Sequence, residues 1–104
     1  MQNSFIHSVY FWIHEGTSDQ DLALFEKSVK TLLEVPGLLQ AYVSKPAGTR
    51  REIIDYSYTY HLLLIFENES AHEAYQTTDT IHQKFIADCK HLWGKIQIYD
   101  SLPF

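Results

Sequence analysis

The sequence predicts an α+β fold in which a four-stranded antiparallel sheet carries two helices on one face. Two observations predict it. Stretches with the period of a strand and stretches at helical spacing follow one another in the order β-α-β-β-α-β. The breaks between them fall on turn or capping residues such as Gly16, Pro36-Gly37 and Asn68. At 104 residues, one domain spanning 1–104 is expected, with a core burying about two-thirds of the unfolded surface.

The first element, "SFIHSVYFWIH" from Ser4 to His14, alternates and is rich in β-branched and aromatic side chains, so it reads as a strand. Gly16 supplies the turn, Thr17 or Ser18 the cap, and Asp19 and Asp21 the acidic first turn of a helix. Leu22, Phe25, Val29, Leu32 and Leu33 then form one apolar stripe. Pro36 and Gly37 end it. "LLQAYVSKP" is a weaker strand, "AGTRREIID" a polar loop, and "YSYTYHLLLIFE" a strong third strand. Asn68 or Ser70 opens a second helical region, which resumes as "IHQKFIADCKHLW" with Ile81, Phe85, Cys89 and Leu92 on one side. "KIQIYD" is a short last strand. The arrangement is ferredoxin-like.

The sheet is apolar on both faces. His7, Val9, Phe11 and Ile13 point one way, and Ile6, Ser8, Tyr10 and Trp12 the other; Leu62, Leu64 and Phe66 oppose His61, Leu63 and Ile65. Two helices cover only one face, and an open aromatic patch of that size is unusual on a monomer. A homodimer through Ile6, Ser8, Tyr10, Trp12, His61, Leu63 and Ile65 is therefore expected, with two sheets face to face and the helices outside.

Composition excludes several classes. The net charge of −5, with basic residues scattered apart from Arg50-Arg51, offers no stripe for a phosphate backbone. "LLLIF" is the longest strictly apolar run, far short of the roughly 20 residues of a membrane span. The start lacks the basic and apolar segments of a signal peptide, and a lone Cys89 suits a reducing compartment, so a cytoplasmic protein is expected. No metal is expected, since none of the six histidines lies in an HxH or HxxxH pair. His14, His72 and His91 are read as surface residues. Phosphate loop, dinucleotide fingerprint and nucleophile elbow are all missing, so no cofactor is expected.

"FIHSVYFWI", the "VPGL" break, "YSYTYHLLLIFENESAHEAYQ", the pair His82 and Phe85, and a closing Trp93, Lys95, Gln97, Tyr99 and Asp100 come in an order that resembles the stress-responsive α/β-barrel domain family, within the dimeric α/β-barrel superfamily. The resemblance covers nearly the whole chain. It implies a ferredoxin-like protomer, a barrel-shaped homodimer and a pocket between each sheet and its own helices. Its plant branch of olivetolic acid cyclase-type polyketide cyclases closes a linear polyketide without a cofactor, using a tyrosine and a histidine. Tyr75 and His82 match those two positions, and His7 matches a further pocket-facing histidine. Thr78-Asp79 stand where that branch has a His-Pro pair, and the link to the histidine is one residue longer here.

The stretch "AYQTTDTIHQKF" bears on that link. In one unbroken helix Tyr75 and His82 would lie about 10.5 Å apart along the axis. Thr77, Thr78, Asp79 and Thr80 are poor helix formers that prefer caps, so a break is expected. Thr78 or Asp79 would cap a new helix, with His82 in its first turn, aimed at the sheet and held neutral near pH 7 by the helix dipole. Tyr75 would donate a hydrogen bond to a carbonyl or enolate oxygen.

The candidate ligand-binding residues are Val9 and Phe11 on the first strand, Leu24 and Phe25 on the first helix, and Leu62, Leu64 and Phe66 on the third strand. Phe85, Trp93, Ile96 and Ile98 complete the set. Periodicity does not separate cavity lining from core filling. Two functions follow: a dimer that binds a small hydrophobic ligand with a role in stress response, or a cofactor-free cyclase or isomerase in which Tyr75 and His82 act as acid and base on a small carbonyl compound.

Overall fold

Alternating β-branched and aromatic residues form strand β1 over Phe5–Ile13 in the computed structural model, which describes residues 3–104. Helix α1, Asp19–Lys30, starts where the Ser18 hydroxyl accepts a hydrogen bond from the Asp21 backbone N–H at 3.1 Å. Its stripe ends in a 3-10 turn over Thr31–Glu34, and the chain reverses at Gly37, whose φ of +85° few other residues adopt. A Cβ at Gly37 would sit 2.7 Å from the Ala71 Cβ, so this glycine also lets the second helical region approach the turn.

Strands β2 (Leu38–Ser44) and β3 (Tyr60–Phe66) follow, then helices α2 (Glu69–Thr77) and α3 (Thr80–Cys89), a 3-10 turn (Lys90–Leu92) and strand β4 (Trp93–Ser101). The sheet order is β2-β3-β1-β4, antiparallel at every pairing. This is the expected ferredoxin-like sheet, with three helices in place of two because the second helical region is broken.

Boundaries differ where tertiary contacts outweigh pattern. The third strand starts at Tyr60, not Tyr56. Tyr58 instead stacks edge-on against Tyr10 at 4.9 Å, and Ser57 accepts a hydrogen bond from the Trp12 indole at 3.0 Å. Ser57 and Tyr58 thus pack over the outer sheet face. The last strand is longer than "KIQIYD" because β1 offers it a pairing partner from Ile6 to Ile13.

Between the sheet and the helices, Phe11, Phe25, Val29, Leu32, Leu62, Leu64, Phe66 and Cys89 are all but inaccessible. Burial of this kind contributes about 1.5–3 kcal/mol per large apolar side chain. No helix among the described residues is long and apolar enough to cross a membrane.

Candidate functional site

Strand alternation places His7 on the helix-facing side of β1, in line with Val9 and Phe11. The antiparallel register sets Asp100 of β4 opposite it. Their side chains meet at 2.6 Å, His7 Nδ1 to Asp100 Oδ1, with the imidazole buried and the carboxylate partly exposed.

Helix α2 brings two more rings to the same place. His72 and Tyr75, three residues apart and so on one helix face, are both buried. His72 stacks on Phe5 at 4.0 Å and lies 4.8 Å from the His7 ring; Tyr75 meets His7 edge-on at 5.7 Å. The expectation of a surface His72 is corrected: it is 7 % exposed, because it shares the sheet-facing side of α2 with Tyr75.

Asp79 then caps α3, its carboxylate accepting the His82 backbone N–H at 2.8 Å. The break expected from the threonine run is present. It turns His82 back, and its ring packs 4.2 Å from that of Tyr75 at an interplanar angle of 31°.

These side chains border a cavity of about 350 Å³ lined by His7, Val9, Phe11, Leu62, Tyr75, Gln76, His82, Phe85, Ile86, Trp93, Ile96 and Ile98. That volume falls within the usual range for small-molecule sites. Four of the expected lining residues are elsewhere. Phe25, Leu64 and Phe66 fill the core completely, and Leu24 is 40 % exposed, one residue and so about 100° around α1 from the buried Phe25. Gln76 and Ile86, next in sequence to Tyr75 and Phe85, were missed, as was the His7–Asp100 pair. Only the pairing register of two strands distant in sequence reveals that pair.

Burial is the main force on the titrating groups. It lowers the pKa of His82, assisted by nearby His7 and His72 and opposed by a backbone contact with Tyr75 and by the Asp79 carboxylate. Desolvation, the largest of these influences, therefore favours the neutral form of His82 at pH 7. Burial likewise lowers His72, with His7 adding to it, and raises Tyr75, with Asp79 adding to it. Tyr75 stays a hydrogen-bond donor at any physiological pH. Among the described residues, two buried side-chain nitrogens have no hydrogen-bond partner, His72 Nε2 and His82 Nδ1. Both belong to this cluster, and such atoms are costly enough to call for a ligand or water.

The sequence model of a family described as "Stress Responsive A/B Barrel Domain" matches residues 5–102. No curated protein matches the chain. Among solved structures, a hydroxynitrile lyase from Passiflora edulis superposes with a TM-score of 0.82 at 11% identity, over 100% of this chain and 96% of the other. A dimeric ferredoxin-like protein of unknown function from Thermobifida fusca gives 0.79 at 13% identity, over 99% and 94%. A Dabb family protein with a ferredoxin-like fold from Mesorhizobium loti gives 0.77 at 19% identity, over 99% of both chains. At such identities the likeness establishes the fold alone.

Proposed function

The chain belongs to the stress-responsive α/β-barrel domain family, and from that premise we propose that its cavity binds a small, mostly apolar carbonyl compound on which His82 and Tyr75 carry out proton transfer without a cofactor. One observation carries the reading: His7, Tyr75 and His82, with Gln76 beside them, border the same mostly apolar cavity. Ligand binding alone needs no such convergence. Neutral His82, with its buried Nδ1 unpartnered, takes a proton from the carbon beside the carbonyl. The electron pair left behind delocalises onto the oxygen, and the Tyr75 hydroxyl donates a hydrogen bond to it. Return of the proton at another position gives an isomerase. Attack of the enolate on a second carbonyl of the same molecule opens that C=O to an alkoxide, which takes the proton held by His82, and gives a cyclase. The lyase from Passiflora edulis supports the view that this fold can host an enzyme and says nothing of the substrate here.

The test uses an aryl β-diketone such as benzoylacetone, whose α-proton exchange with D2O is read by NMR. Faster exchange than in buffer is expected, reduced roughly a hundredfold in His82→Ala and in Tyr75→Phe. Binding of the diketone with exchange equal in wild type and His82→Ala would sink the catalytic part and leave a protein that binds a hydrophobic ligand in a stress response.

The same reading includes a homodimer through the outer sheet face, with Ile6, Ser8, Tyr10, Trp12, His61, Leu63 and Ile65 at its centre. Half-exposed apolar and aromatic side chains on that face support it, as do relatives of the same fold described as dimeric. Leu63→Asp would place an unpaired charge in the interface and should give monomers by sedimentation. A wild-type monomer at micromolar concentration would overturn the assignment.

A further inference from the structure

Beneath the cavity, two imidazoles and a carboxylate from three separate elements converge: His7 on β1, His72 on α2 and Asp100 on β4. One ligand atom from each lies within 4.8 Å of the other two. We propose that these three residues form a binding site for a divalent transition-metal cation of the zinc type.

The donor set fits. Two imidazoles and one carboxylate suit zinc, cobalt or iron rather than magnesium or calcium, which prefer oxygen ligands. His72 Nε2 is buried without a hydrogen-bond partner, although His72 stacks on Phe5 and is held beside His7. The neutral tautomer with its proton on Nδ1 leaves the Nε2 lone pair free, and that form, fixed by packing, is the one that ligates a cation. Asp100 already bonds His7 and would neutralise part of the added charge. Tetrahedral coordination at roughly 2.0–2.1 Å sets ligand atoms about 3.3 Å apart, so the widest pair must close by up to about 1.5 Å. The His7–Asp100 contact of 2.6 Å must open to that spacing while the distance to His72 closes, and Asp100, 41 % exposed at the sheet edge, has room to move.

His7 belongs both to this cluster and to the cavity wall. A cation here would draw on His7 from behind and alter the polarity that a cavity ligand meets. The site does not depend on proton transfer at His82, and either proposal can fail while the other stands.

The experiment is titration of EDTA-treated, dialysed protein with Co2+, read by its visible d–d absorption. One Co2+ per protomer is expected, with bands strong enough to indicate fewer than six ligands and displaced by Zn2+. His72→Ala should weaken uptake by more than the 10- to 100-fold typical of losing an outer-shell partner, while His82→Ala keeps it. Should His72→Ala fail to fold, Asp100→Asn at the exposed edge decides, and should show the same loss. Absence of Co2+ uptake at millimolar concentration overturns the proposal. So does uptake unchanged in these variants, which would place the ion on the exposed His14 or His91.

Discussion

Strand β1 has two neighbours, and its two flanks differ. Toward β3, helix α1 lies over the sheet and the core is closed: Phe25, Val29, Leu62, Leu64 and Phe66 are all but inaccessible, and the inward positions of β3 are apolar except Tyr60 at its start, whose hydroxyl donates to Glu26 at 2.6 Å. Toward β4, the helices stop short. Ile96 and Ile98 face the same side as Phe11 and Val9, with which they pair, yet remain 39 % and 43 % exposed. Space is left there, and the histidines gather at its border. One strand thus supports both a stability region and a chemistry region, and coverage by helices divides them. Sites pre-organised for function commonly hold unsatisfied or strained groups at a cost in stability.

The largest effect should come from the filled flank. Phe25→Ala removes a ring packed against Phe11, Tyr60, Phe85 and Trp93 and should cost about 3–5 kcal/mol in denaturant titration. A loss under about 1 kcal/mol would show that this flank is not tightly packed. Acidification should act on the hollow flank. His72 and His82 bind protons less readily folded than unfolded, so stability falls as pH drops through the ordinary value of 6.5 and levels off below the folded values. Each contributes at most about 1.4 kcal/mol per pH unit, and half-buried His61 on the other face acts in the same direction. Unfolding titrations at pH 7 and pH 5 check it, and His82→Phe should shrink the difference. At pH 7 the same His82→Phe should raise stability by about 1 kcal/mol, since it removes an unpartnered buried nitrogen while keeping a ring against Tyr75. A loss of stability would mean that His82 is a structural group. The smallest change in stability, within about 0.5 kcal/mol, is expected for Ile98→Trp at the half-open edge. It should nonetheless block an apolar fluorescent probe from the cavity, and unimpeded binding would place the probe elsewhere.

The filled flank was legible in the sequence because burial there follows strand and helix period, as with Phe25 and Val29 on α1 or Leu62 and Leu64 on β3. Chain breaks were equally legible where one residue type has a local reason, such as Gly37 or the Asp79 cap. The hollow flank was only partly so. Tyr75, His82 and His7 came from the family resemblance together with the threonine run. His72 was misplaced because a histidine at helical spacing beside Tyr75 reads alike as surface or core, and Asp100 was missed as a partner because only sheet register joins it to His7. Leu24 was wrongly assigned to the cavity, since hydrophobicity alone does not state which way a helical side chain points.

The paired caps at Asn68 and Asp79 carry a consequence for how this region tolerates length change. Within one continuous helix, adding a residue would rotate everything beyond it by about 100° and swing His82 away from the sheet. Here α3 takes its phase from its own cap, because the Asp79 carboxylate fixes the His82 N–H directly, while the backbone N–H groups of Thr78 and Asp79 both donate to the Ala74 carbonyl of α2. The link between them is therefore pinned on both sides: a residue gained or lost there must displace the Thr78 and Asp79 bonds to Ala74, while the Asp79 cap still sets the phase of α3 itself. The direction of the imidazole is inherited from the cap, and the place of the cap from the Ala74 carbonyl that holds it.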